Sequence, residues 1–183
     1  METIRIGNGY DVHALAEGLP MWLGGICIEH NKGFVAHSDG DVLIHALCDA
    51  LLGALALGDI GLHFPDNAQE FKDIDSKILL RQCIALVQEK GYRLGNADCT
   101  ILAQAPKLRP YIDRMRKTLA PLLGMGNMGV AEQGHFRAPG GSGICQRVQI
   151  VFYAVHMAVR IERDGLVKGR QTVHRLQSAV VAV

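Results

Sequence analysis

Short alternating stretches and longer stretches of helical period divide this chain. From Thr3 to Gly9 polar and apolar residues alternate, which predicts a strand with one buried face. Trp22 to Ile28 predicts a second strand, with Gly24-Gly25 as a bulge or a point of close backbone approach. Residues 29–40 form a polar, glycine-containing loop pattern. In the helix that follows, Ile44, Leu47, Leu51, Leu52 and Leu55 mark one face. Ser38 and Asp41 have capping-box spacing, with Ser38 as N-cap, and Gly58 suits the position past the end. Residues 59–74 predict a loop around Phe64-Pro65-Asp66. A second helix is expected from an Asp75 or Ser76 cap, through Ile78, Leu79, Leu86 and Val87, to a stop at Gly91. Asn96 to Gln104 alternates again and ends before Pro106. Pro110 suits the first turn of a third helix, which carries Ile112, Met115, Leu119 and Leu122 and ends at Gly124.

Strands alternating with helices predict an α/β domain of the layered α+β kind, with a mixed sheet packed on helices. Beyond residue 133 the pattern changes. Ala138 to Gly143 is a loop pattern, and Val148 to Val159 is apolar without a clean period, so strand and helix stay open there. Residues 162–183 read as weakly structured. Charge breaks at the same place: net −4 over residues 1–133, net +5 over residues 134–183, with six Arg and only Lys168 in the second segment. The expected organisation is one domain over 1–133 and an atypical tail over 134–183.

Composition narrows the class. A chain of 183 residues is the size of one domain, and 49% apolar with 20% charged residues excludes wholesale disorder. A net charge of +1 gives no global electrostatic case for nucleic acid or membrane binding. No apolar run reaches the roughly 18 residues of a membrane-spanning helix. No apolar signal region follows Met1 to Ile6. The expected location is the cytoplasm, or a plastid only if a transit peptide has been removed. Cys27, Cys48, Cys83, Cys99 and Cys145 are odd in number and contain no CxxC pair, which argues against a disulfide framework or a cysteine zinc site.

Four segments could carry chemistry. Asp11 and His13 leave the same face of an extended segment, and His45 sits one turn into the predicted helix. Such a His₂Asp set suits a catalytic zinc with one open position; the plain alternative is a surface Asp–His pair and a core-facing His45. His37-Ser38-Asp39-Gly40-Asp41 opens the helix, where free N–H groups and the positive dipole end suit a phosphate, although Ser38 and Asp41 could simply cap it. Gly58-Asp59-Ile60-Gly61 with Phe64-Pro65-Asp66 reads locally as a helix stop and a turn. Ala103-Gln-Ala-Pro-Lys-Leu108 reads as a strand end with one available cation. His30 and His63 have no partner at a telling spacing and are expected at the surface. Gly140-Gly-Ser-Gly143 lacks the Gly-Lys-Ser/Thr of a P-loop.

Taken in order, the chain resembles the 2-C-methyl-D-erythritol 2,4-cyclodiphosphate synthases of the non-mevalonate isoprenoid pathway. The resemblance is carried by Arg5-Ile-Gly-Asn-Gly-Tyr-Asp-Val-His13, Ala36-His-Ser-Asp-Gly-Asp-Val-Leu-Ile-His-Ala46, Asp49-Ala-Leu-Leu-Gly-Ala54, Leu57-Gly-Asp-Ile-Gly61, Phe64-Pro-Asp66 and Ile101-Leu-Ala-Gln-Ala-Pro-Lys107. It implies a homotrimer of α/β subunits with sites between neighbours, and Zn²⁺ on Asp11, His13 and His45. It implies catalytic roles for His37 and Asp59, with Ser38 on a substrate phosphate. Ile60, Gly61, Phe64, Pro65 and Asp66 would lie at the methylerythritol part, and Ala103, Ala105, Pro106, Lys107 and Leu108 at the cytidine. The implied substrate is a small nucleotide, and neither nucleic acid nor membrane is a partner. The implied reaction has the substrate's 2-phosphate attack its own β-phosphorus, so that a cyclodiphosphate forms and CMP leaves. A Mg²⁺ or Mn²⁺ would bridge the α- and β-phosphates.

The chain departs from the family pattern late. A Thr-Thr-Thr-Glu-like motif is expected after the third helix, and only Glu132 is in place to match its glutamate, the implied second-metal ligand. One choice of codons for Gly134 to Ile144, read one base out of register, encodes Gly-Ile-Ser-Gly-Arg-Arg-Glu-Gly-Leu-Ala, which fits the missing segment. An out-of-frame tail would explain the charge break; a divergent tail is the alternative. Lost strands would leave an unpaired sheet edge, which the run Val148 to Val159 could fill by pattern. Three functions follow: an active synthase, an impaired zinc- or nucleotide-binding remnant of it, and a metal-dependent phosphohydrolase. The Ala-Pro-Lys segment argues against the last.

Overall fold

The structure is a computed structural model, and it describes residues 4–125 and 153–163. Strand β1 (Arg5–His13) alternates as the pattern predicts but runs four residues further than the expected Gly9 end. It lies beside β7 (Tyr153–Arg163), which lies in turn beside β6 (Tyr92–Leu102). The open Val148 to Val159 run therefore ends in a strand, and that strand is the middle of the sheet. Both of its pairings are antiparallel, from Arg5↔Ile161 to His13↔Tyr153 on one side and from Tyr92↔Arg163 to Leu102↔Ala154 on the other. This corrects the expected mixed sheet: every described pairing is antiparallel, because β7 runs against both neighbours and keeps the co-directional β1 and β6 apart. Val159 and Ile161 are buried, so the strand contributes to the core as well as to the ladder.

Helix α1 (Val42–Ala54) lies on β1 and β7. It can come this close because Gly7 and Gly9 face it; a Cβ at either would collide with the carbonyl oxygen of Ala50 or Ala46. The opposite face of β1 leaves Ile6, Tyr10 and Val12 exposed, next to Ile4. Helix α3 (Ser76–Glu89) packs on α1, and α4 (Ile112–Leu122) packs on α3. Ile44, Leu47, Leu51, Leu52 and Leu80 are fully enclosed between these layers, each stabilising the fold by about 1.5–3 kcal/mol relative to exposure.

Several local expectations are corrected. Trp22 to Ile28 is not one bulged strand but a hairpin of β3 (Met21–Leu23) and β4 (Ile26–Ile28). Gly24 and Gly25 both have positive φ, 62° and 76°, as a tight two-residue hairpin turn demands. Within residues 29–40, β5 (Lys32–Phe34) pairs with β2 (Leu15–Glu17). The N-cap of α1 is Asp41, not Ser38: the Asp41 carboxylate accepts from Ile44 N–H at 3.1 Å, while the Ser38 hydroxyl turns to His45. The helix ends at Ala54 with Leu55 as its C-cap, short of Gly58, and Ala56 is in the left-handed region at φ 54°. Residues 59–74 hold a short helix α2 (Ile60–His63) and a 3₁₀ turn (Gln69–Phe71). Asp75 caps α3 and Gly91, at φ 74°, follows its end, as expected. Pro110 sits in a 3₁₀ turn (Arg109–Tyr111) just ahead of α4. The loop pattern at Ala138 to Gly143, Cys145 and the weak pattern beyond residue 163 lie outside the described residues.

Candidate metal and phosphate site

The end of β1 and the start of α1 bring three ligand-type side chains together. Asp11 and His13 leave the same face of β1, and His45 stands on the fourth residue of α1. One donor atom from each lies within 4.8 Å of the other two. Asp11 Oδ2 is 3.1 Å from His13 Nδ1 and 3.2 Å from His45 Nδ1. His13 Nδ1 is not aligned for a hydrogen bond, and among the described residues this buried nitrogen has no hydrogen-bond partner. A buried imidazole nitrogen without a partner, beside a carboxylate and a second imidazole, is what a cation would satisfy. The donor set is borderline in hardness and three in number, so it fits a divalent metal that keeps an open position. Burial acts to raise the Asp11 pKa, but the two imidazoles outweigh it and hold the carboxyl well below the usual range. Burial acts to lower the His45 pKa, and the neighbouring Asp11 overrides it and raises it.

A cleft of about 420 Å³ opens over this cluster. Its walls include His37, Ser38, Ile60, Gly61, Phe64 and Asp66. His37 Nε2 lies 3.1 Å from the Ala68 carbonyl oxygen, which can only accept, so Nε2 carries the proton and donates. Ser38 Oγ accepts from Gly40 N–H at 3.2 Å and lies 3.1 Å from His45 Nε2. The local reading of the Gly58 to Asp66 stretch as a mere helix stop and turn therefore falls short, because part of it lines the same cleft as the metal-type cluster.

Other expected site residues lie elsewhere. Asp59 caps α2, accepting from Leu62 N–H at 2.9 Å, and does not line this cleft; nor does Pro65. Ala103, Ala105, Pro106 and Lys107 follow β6, also away from the cleft walls, and the Leu108 side chain is buried in the core. Glu132 lies outside the described residues. His63, expected to be a partnerless surface residue, donates from Nε2 to the Leu57 carbonyl at 2.9 Å. His30 holds its own loop through contacts with the Lys32 backbone.

One polar wall residue has no role from the sequence. Asp49 stands four residues after His45 on α1, so helical spacing puts it on the same face, and that spacing was the available signal. Its carboxylate accepts from Ile60 N–H at 2.7 Å and ties α2 to the cleft. Burial raises its pKa. Val35, Phe71, Ile74 and Leu79 complete the apolar wall. Among the described residues, no helix is long and apolar enough to cross a membrane.

Comparison with known proteins places this geometry. Residues 4–133 match the YgbB family. The 2-C-methyl-D-erythritol 2,4-cyclodiphosphate synthase of Azotobacter vinelandii is 63% identical over 123 residues, 67% of this chain and 78% of that one. The Bacteroides fragilis synthase is 57% identical over 122 residues, 67% of this chain and 77% of that one. Among solved structures, a CDP-bound form of such a synthase matches with TM-score 0.74 and 34% identity, covering 86% of this chain and 99% of its own. The bifunctional IspDF of Campylobacter jejuni matches with TM-score 0.79 and 37% identity, covering 89% of this chain and 43% of its own. With its family match over residues 4–133, and with Asp11, His13 and His45 grouped under one cleft, this chain belongs to the YgbB family, whose matched relatives are 2-C-methyl-D-erythritol 2,4-cyclodiphosphate synthases.

Proposed function

We propose that the chain is a phosphorus–oxygen lyase that converts 4-diphosphocytidyl-2-C-methyl-D-erythritol 2-phosphate to 2-C-methyl-D-erythritol 2,4-cyclodiphosphate and CMP. The observation that carries this is the convergence of His37, Ser38 and the Asp11–His13–His45 cluster on one cleft in a chain of this family. A new P–O bond forms between the 2-phosphate and the β-phosphorus as the bond to CMP breaks. No protein nucleophile is required, so holding two anionic groups in line supplies the catalysis.

Asp11, His13 and His45 would hold zinc, which supplies Lewis-acid polarisation of a phosphate oxygen. Glu132 would be the protein ligand of a Mg²⁺ or Mn²⁺ carried with the substrate diphosphate, where the ion would neutralise phosphate charge. Ser38 donates to a phosphate oxygen, and His37, anchored through Nε2 on Ala68, presents the rest of its ring to the cleft. Ile60, Gly61, Phe64 and Asp66 enclose the methylerythritol part, with Asp59 and Pro65 beside them. Ala103, Ala105, Pro106, Lys107 and Leu108 serve the cytidine. Their distance from the cleft walls, together with the exposed Ile4, Ile6, Tyr10 and Val12 face of β1, supports a homotrimer in which each site draws on two copies. A cytoplasmic location fits the composition.

An impaired remnant is the weaker reading, because β7 fills the middle of the sheet that a lost C-terminal strand would have opened. A phosphohydrolase has no use for the cytidine segment. The division at residue 133 coincides with the end of the family match, and we read the tail as supplying the closing strand. The test is CMP release from 4-diphosphocytidyl-2-C-methyl-D-erythritol 2-phosphate by the purified 183-residue chain with zinc and magnesium. CMP together with cyclodiphosphate is the expected product pair. A zinc-loaded, folded chain that releases neither supports the remnant, and release of CMP with the open-chain 2,4-bisphosphate, water having attacked the β-phosphorus, supports the hydrolase.

A further inference from the structure

Two hydroxyls face the second nitrogen of the His45 ring. Ser76 Oγ lies 2.9 Å and Ser38 Oγ 3.1 Å from Nε2, while Nδ1 faces Asp11. Ser76 is the first residue of α3, fully buried and shielded from bulk water. Its single hydroxyl proton is committed, since Ser76 Oγ–H donates to Asp39 Oδ1. Asp39 is itself fixed: it accepts from Ser76 N–H at 3.0 Å and from Asp41 N–H at 3.2 Å. A carboxylate accepts only, so the direction of this chain cannot reverse. Ser76 therefore turns lone pairs toward His45, and with Nδ1 given over to a cation beside Asp11, Nε2 carries the proton and donates it. The opposite neutral tautomer would set two lone pairs against each other across 2.9 Å.

We propose that Ser76, oriented by Asp39, is a positioning residue that fixes the His45 ring with Nε2 protonated, so that Nδ1 offers its lone pair to the Asp11–His13 side of the site. The inference rests on the reading of Asp11, His13 and His45 as a metal site. Metal-binding histidines generally donate their other ring N–H to an outer partner that sets tautomer and orientation. Here the partner is a serine held by a carboxylate. Ser38 is thereby relieved of that duty: with Nε2–H directed to Ser76, the Ser38 hydroxyl proton stays available for an anion in the cleft.

The direct test needs no substitution. In ¹⁵N-labelled, zinc-loaded full-length chain, long-range ¹H–¹⁵N correlation should show His45 with a protonated Nε2 and a metal-bound Nδ1. Zinc affinity, by competition with a chromophoric chelator, should fall about 10- to 100-fold in Ser76→Ala and in Asp39→Asn, with circular dichroism confirming that each variant is folded. A His45 bound to zinc through Nε2 would overturn the proposal, as would folded variants that both keep full zinc affinity. If one variant does not fold, the other variant and the wild-type spectrum still decide. A wild-type chain that takes up no zinc overturns the metal reading, and the proposal with it; that outcome is seen before any variant is made.

Discussion

Asp41 and Gly25 are joined across two elements: the Asp41 carboxylate, wholly buried, accepts from Gly25 N–H at 2.6 Å. The same carboxylate accepts from Gly24 N–H at 2.9 Å and caps α1 through Ile44 N–H. One side chain thus fastens the β3–β4 turn to the helix that carries His45. Burial raises its pKa against the pull of these three donors. Asp41→Ala removes the cap, worth about 1 kcal/mol, and leaves buried N–H groups unpaired, at about 1–3 kcal/mol each. Urea denaturation should show a loss of about 3 kcal/mol or more. A loss under about 1 kcal/mol would mean that the turn finds other partners.

Close approach of β1 and α1 depends on a missing side chain. Gly9→Ala puts a methyl group against the Ala46 carbonyl oxygen, and neither backbone can give way cheaply. The expected cost is about 3 kcal/mol or more, read as a lowered thermal midpoint. Zinc uptake should weaken with it, because Gly9 sits two residues before Asp11. Wild-type stability in Gly9→Ala would show that the layers are not in contact as described.

Metal uptake should depend on pH through His45. Its pKa is raised in the fold, so in metal-free protein its pairing with Asp11 stabilises fully below the unfolded value of about 6.5 and is lost as pH rises through the higher folded value. Metal binding runs the other way, since it needs the neutral ring. Zinc affinity should fall about tenfold per pH unit below the folded His45 pKa, while Asp11, with its depressed pKa, stays ionised. His45→Ala should abolish stoichiometric zinc. Retained zinc in that variant, or an affinity flat from about pH 6 to 9, would remove His45 from the ligand set.

The C-terminal strand makes its own prediction. Ile161 is fully buried at the centre of the sheet, opposite Arg5 on one side and Leu94 on the other. Ile161→Ala should cost about 2–5 kcal/mol. A silent substitution would mean that residues beyond 133 are a passenger, as an out-of-frame tail without a structural role would be. Sequencing the coding DNA across Gly134 to Ile144 settles the register question separately.

Periodicity and capping made the helices legible, since helix formation is written in residues three and four apart. Asp75 and Gly91 bracket α3 as the sequence predicts. The same local logic misassigned the α1 cap to Ser38, because a sequence shows which side chains can cap a helix but not which of them a distant hairpin or histidine claims. It also leaves Val148 to Val159 undecided, for the pairing with β1 and β6 that makes a strand of its end is made with residues far away in the chain.

The residue types of the metal cluster, and the segments that tie the chain to its family, were determined by sequence alone: Asp11-Val-His13 and His45 have the right chemistry wherever they lie. Only the tertiary structure decided that they meet, that Asp49 shares their cleft, that Ser76 stands behind His45, and that β7 closes the sheet between β1 and β6. The reason is range. Donor type and helical phase are properties of neighbours along the chain, whereas Ser76 reaches His45 across 31 residues and β7 reaches β1 across nearly the whole chain. Contacts of that separation are fixed by how layers pack, which no local pattern encodes.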